Sequence, residues 1–224
     1  MPMAQSTTAS LSAPSPASQV EKRPTYERRR NEASRPAGIE PLSRLQVPDD
    51  NELDPRLTDV FAEFTHSYGF VPNWLRALSI NPDTALRIVQ FYRHLFDPAR
   101  SQLSAAEREL IAVVSSATNH CSYAVFDHTR GLAAALDDDV RARRIAFDHH
   151  HVRLSKREQV LADIAEKLTA QPASVGLAEL DRLRQAGFDE PAALEVLEIA
   201  AFFNYANRLT IALNIVPDAQ FFAH

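Results

Sequence analysis

Apolar residues recur along most of this chain at the spacing of one helix face. Leu57, Val60, Phe61 and Phe64 mark a first stripe, and Gly69 stands where it should stop. F-V-P-N-W-L-R-A-L begins a short second helix. In N-P-D-T-A-L-R-I-V-Q-F-Y-R-H-L-F, positions 85, 88, 89, 92, 95 and 96 form a single stripe, with Pro82 suited to a first helical position. Ser104 and Glu107 make an S-x-x-E capping box, and after Glu109 the helix that follows is apolar nearly all round, so it is expected to be buried. Asn119-His120 breaks it. Another helix starts near Cys121 and runs to the acidic D-D-D at 137–139. A second capping box, Ser155 with Glu158, opens a helix with Val160, Leu161, Ile164, Ala165 and Leu168 as its core face. A short helix ends at Gly187, and a long one spans about 190 to 213. No strand pattern competes over any length. The expected fold class is all-α, a helical bundle.

The pattern fails at the start. Residues 1–36 are rich in Ser, Ala, Thr and Pro and then in charges, and they read as a disordered tail ahead of a globular domain at 37–224. The tail has no apolar h-region, so a secretory signal is not expected. Six basic against three acidic residues give it +3, so the rest of the chain, which totals -5, carries -8. That acidic body is not a general nucleic-acid binder. No run of apolar residues is long enough for a membrane span. A single cysteine forms no intrachain disulfide, which suits a reducing, cytoplasmic setting.

That cysteine is the first candidate for chemistry. In N-H-C-S-Y-A-V-F-D-H, Cys121 and His128 are seven apart, two helical turns, and share a face with Ala124. A thiol at a helix start sits where the dipole favours thiolate. The imidazole, about 10 Å along the axis by helical rise, is too far for a direct hydrogen bond. It would act as a relay. Glu109 reads either as an exposed first-turn residue or as a partly buried general base. Asn204, Asn207 and Arg208 interrupt an apolar helix, either as structural hydrogen-bonders or as lining for a pocket. His120 is placed to perturb the thiol, and Tyr123 is packing unless its hydroxyl reaches the site. Trp74 reads as core or interface. His149, His150 and His151 read as a solvated loop, since adjacent residues on a helix point 100° apart and do not converge on one metal.

Glu109, Cys121 and His128 fall on E-x11-C-x-x-C-x-x-x-H, and there the chain resembles the AhpD-like alkylhydroperoxidases of the wider carboxymuconolactone decarboxylase family. G-F-V-P-N (69–73), E-R-E-L-I-A-V-V (107–114), L-T-A-Q-P-A-S-V (168–175), L-R-Q-A-G-F (183–188) and F-N-Y-A-N-R-L (203–209) look like its peroxidase-related branch. The resemblance, over roughly residues 40–215, implies an all-α homo-oligomer with a thiol peroxidase site, acting on a small organic hydroperoxide with an external thiol as reductant. It places Cys121, His128 and Glu109 as catalytic, with Tyr123, Ala124, His120 and Asn207 about the substrate. The chain departs where the family has its second cysteine: position 124 is Ala, so the two-cysteine cycle is closed to it. Three outcomes stay open: a one-cysteine peroxidase, a non-redox acid–base enzyme like the lyase-type relatives, and a binding or structural oligomer without catalysis. No metal and no organic cofactor is expected.

Overall fold

The structure, a computed structural model, describes residues 41–222; the tail expected at 1–36 lies outside them. The described residues form α1 (Thr58–Tyr68), α2 (Asn73–Leu78), α3 (Pro82–Phe96), α4 (Ala105–Thr118), α5 (Ser122–Leu136), α6 (Asp139–Asp148), α7 (Lys156–Ala170), α8 (Leu177–Gln185) and α9 (Glu190–Leu213), joined by short 3-10 turns and no strand. Both predicted capping boxes close. The Ser104 and Ser155 side chains accept from the N3 amides, and Glu107 and Glu158 reach back to the cap amides, satisfying two otherwise orphaned donors each. Asn81 caps α3 ahead of Pro82, and Gly69 ends α1 at φ 82°.

The bundle is organised about α4. Every residue from Leu110 to Ser116 is buried, and α5, α6, α7 and α9 pack around it. An element apolar on all sides has only one stable place, the middle. Ile111, Val113, Leu161, Ile164, Val196 and Ile199 fill the resulting core at complete burial. A second apolar cluster ties α1 to α2 and α3 through Leu57, Phe61, Phe64, Leu75 and Val89. The C-terminal strap returns over this side: the Arg44 amide donates to Leu213 O at 2.7 Å and the Val216 amide to Leu42 O at 3.2 Å.

Helix α6 was not expected. Of its ten residues only Ala142 and Ile145 are buried, and three arginines crowd the rest, so the apolar stripe is too thin to stand out. Its signal was the cap: Asp137 leaves α5 at φ 53°, and Asp138 accepts from the Arg141 amide at 2.8 Å. The expected loop at 149–151 is likewise a 3-10 turn, with His149 buried.

Leu161 is wholly buried at the heart of the core. Leu161→Ala should therefore cost about 2–5 kcal/mol, read as a lowered urea midpoint at unchanged m-value.

Candidate functional site

The corner between α4 and α5 is built by a Schellman motif. The His120 amide donates to Ala117 O at 2.9 Å and the Cys121 amide to Ser116 O at 3.0 Å, with His120 in the left-handed region at φ 57°. Glycine usually takes that position, and a non-glycine residue there gives up about 1 kcal/mol or more. Cys121 thus ends one helix and caps the next. Both roles fix its place in the fold.

They do not fix it as a thiolate. Cys121 is 1% exposed and packs among Ala77, Tyr123, Ala124 and Ile215. Burial raises its pKa above the usual thiol value, against the amides of Ala124 and Tyr123, which point at the sulfur and lower it. The expectation that the helix start would favour the anion is therefore corrected: desolvation outweighs the amides. His120 is exposed and does not line the cavity beside the corner, which corrects its placement about the substrate.

Glu109 and His128 do come together. His128 Nδ1 lies 2.8 Å from Glu109 Oε2, both largely buried. Burial works against the imidazolium, but the Glu109 carboxylate, with Asp127 adding a smaller pull, outweighs it and holds the His128 pKa above its ordinary value of 6.5. The approach is possible because residue 131, one turn beyond His128, is glycine. A Cβ there would stand 2.6 Å from Glu109 Cδ and Oε1. With Nδ1 committed to Glu109, Nε2 has no hydrogen-bond partner among the described residues. The ring is fixed by Phe203, edge-on at 4.5 Å between centroids, and by Phe96 at 5.8 Å.

His128 opens on a cavity of about 70 Å³, room for several waters or a compact ligand. Tyr123, Ala124 and Asn207 line it, together with Trp74, Phe202 and Phe203. Cys121 does not. Asn207 is turned to Ser116, its Nδ2 donating to Ser116 Oγ at 3.1 Å, and the Tyr123 hydroxyl donates to Asp218, away from His128. Asn204 Nδ2 donates to Thr169 Oγ1 at 2.9 Å. Asn204 and Asn207 thus both make structural hydrogen bonds, and Asn207 borders the cavity as well. On the far side of His128 is a second, more polar cleft of about 280 Å³, edged by Glu109, Arg130 and Gly131; Tyr68, Tyr92, Asp127 and His128 form the wall between the two. Burial raises the Asp127 pKa, with the Glu109 charge adding to it, and burial likewise pushes up the phenols of Tyr68 and Tyr92, with the same two carboxylates adding smaller pushes. Sequence reasoning missed this acidic and phenolic surround. Its one legible sign was Asp127 beside His128; Tyr68 and Tyr92 looked like helix-face aromatics.

Two predictions follow from the pair. Stability from a raised His128 pKa is fully present below 6.5 and is lost as pH rises through the folded-state value. Urea denaturation should therefore show Glu109→Gln weakest against wild type near pH 6, by about 1–3 kcal/mol for a charged hydrogen bond, with the gap shrinking above neutrality. Gly131→Ala should displace the carboxylate, and NMR titration of the His128 ring should then show its pKa falling toward 6.5.

Residues 82–167 match the carboxymuconolactone decarboxylase family model. An alkylhydroperoxidase AhpD core from Ralstonia eutropha JMP134, an uncharacterised peroxidase-related protein, aligns with a TM-score of 0.78 at 28% identity over 82% of this chain and 96% of that one. An uncharacterised peroxidase-related protein from Silicibacter sp. TM1040 aligns at 0.77 and 28% over the same shares, 82% and 96%. The debrominase Bmp8 shares the fold, at a TM-score of 0.67 and 20% identity over 80% of this chain and 93% of that one. No curated protein matches by sequence. The corner that seats Cys121 and His128 lies inside the segment that matches the carboxymuconolactone decarboxylase family model, and the chain has the AhpD-like helical fold of these peroxidase-related proteins.

Proposed function

We propose that this chain is an acid–base enzyme acting on a small, largely apolar organic molecule, in the decarboxylase-like manner rather than by thiol redox chemistry. One observation carries the reading: the Glu109–His128 pair, with Nε2 unclaimed, faces an aromatic cavity whose lining includes Ala124 but not the Cys121 sulfur. Neutral His128 accepts a substrate proton at Nε2. The imidazolium so formed is held by Glu109 through Nδ1, and the proton is returned to the product from the same nitrogen. Trp74, Tyr123, Phe202 and Phe203 supply the apolar walls, and Ala124 leaves room where a larger side chain would intrude.

A second reading is favoured by the amides of Tyr123 and Ala124 directed at Cys121. In it the thiolate attacks the outer oxygen of a small organic hydroperoxide, the alkoxide leaves with a proton from His128, and two equivalents of an external thiol return the sulfenic acid to the thiol. It requires the start of α5 to open, because the sulfur is 1% exposed.

Incubation with small aromatic and lactone carboxylic acids in heavy water, read by mass spectrometry, tests the first reading through decarboxylation or deuterium uptake. His128→Gln should lose at least about 100-fold of that turnover, in line with general acid–base contributions, and Cys121→Ser should keep it. Hydroperoxide turnover with a trapped sulfenic acid on Cys121, abolished in Cys121→Ser and without any proton exchange, would transfer the function to the thiol.

A further inference from the structure

We infer that the chain carries a divalent transition-metal site, suited to zinc, formed by His149, His150 and Glu166, on the opposite end of α7 from its capping box and apart from the Glu109–His128 pair. The ligand atoms of these three residues all lie within 4.8 Å of one another. His150 Nε2 is 3.2 Å from Glu166 Oε1, and His149 Nε2 is 3.8 Å from Glu166 Oε2. Ligand atoms on a tetrahedral zinc, with bonds of about 2.0–2.1 Å, stand about 3.3 Å apart, so these separations need only small side-chain adjustments.

A second observation points to a ligand. His149 is 7% exposed, and its Nε2 is fully shielded with no hydrogen-bond partner among the described residues. A buried polar nitrogen left unpaired is a cost of about 1–3 kcal/mol, which a metal ion would remove. The histidines sit on a 3-10 turn, their rings are tilted by 36° with 4.0 Å between centroids, and side-chain rotation brings both Nε2 atoms toward one carboxylate on α7. Asp148 and Asp163 place further negative charge around His149. Two imidazoles and a carboxylate suit zinc, and water would complete the shell. Bound metal would clamp the end of α6 and its 3-10 turn to the C-terminal part of α7.

The test is calorimetric titration of Zn²⁺ into the untagged full-length chain after chelator treatment. One ion per chain is expected. His149→Ala and Glu166→Gln should each bind at least about tenfold more weakly, since even outer-shell changes at zinc sites cost that much. His151→Ala, which removes an exposed side chain paired with Asp148, should bind like wild type. Absence of saturable binding by wild type, or unchanged affinity in either ligand variant, would overturn the site. If His149→Ala fails to fold, Glu166→Gln alone decides, because its side chain is 38% exposed and supports no core.

Discussion

The central constraint is the burial of α4 on every side. A helix with no polar face must be surrounded, and the helices that surround it are held where its two ends deliver them. At the N-terminal end that leaves Glu109, the last ionisable residue before the apolar run, tucked against α5 rather than turned to water. At the C-terminal end the Schellman motif sets the direction of α5, and with it the azimuth of Ala124 and His128. The Glu109–His128 contact, the aromatic cavity and the shielding of Cys121 all follow from that geometry.

Magnitudes set the two side chains at the corner apart. A helix N-terminus favours an anion by about 0.3–1 kcal/mol. Taking a charge out of water costs several kcal/mol even after relaxation. For Cys121, sealed among apolar neighbours and with no cation beside it among the described residues, the second effect prevails, and the thiol is pushed up in pKa. For His128 the same burial is met by a carboxylate at 2.8 Å, and the charged form gains. Two residues of one helix, two turns apart, are thus driven in opposite senses by whether burial comes with a counter-charge.

Much of this was legible in the sequence because it rests on local rules. The S-x-x-E boxes at Ser104 and Ser155, Pro82 at a first turn and the apolar run after Glu109 each have a short-range cause, and each stands where expected. What escaped is long-range. Helix α6 has too few buried residues for a stripe. Gly131 reads as an unremarkable helix interior until a carboxylate from another helix is found against it. Tyr68, Tyr92 and Asp127 come from three helices and meet only in the folded chain. The histidines at 149 and 150 were judged by backbone azimuth alone, but their side chains turn both Nε2 atoms toward Glu166, a residue of another helix. Cys121 was judged by its position on a helix, without the hydrocarbon that three other segments bring to it.

The wall formed by Tyr68, Tyr92, Asp127 and His128 separates two chambers of different character. A guest molecule held in the greasy one need not share its door with hydrogen ions, which can pass between the His128 ring and Glu109 at the edge of the wet one. Such plumbing would let the imidazole be recharged from solvent while the guest stays in place, so that isotope from the medium could wash into a bound molecule several times before it departs.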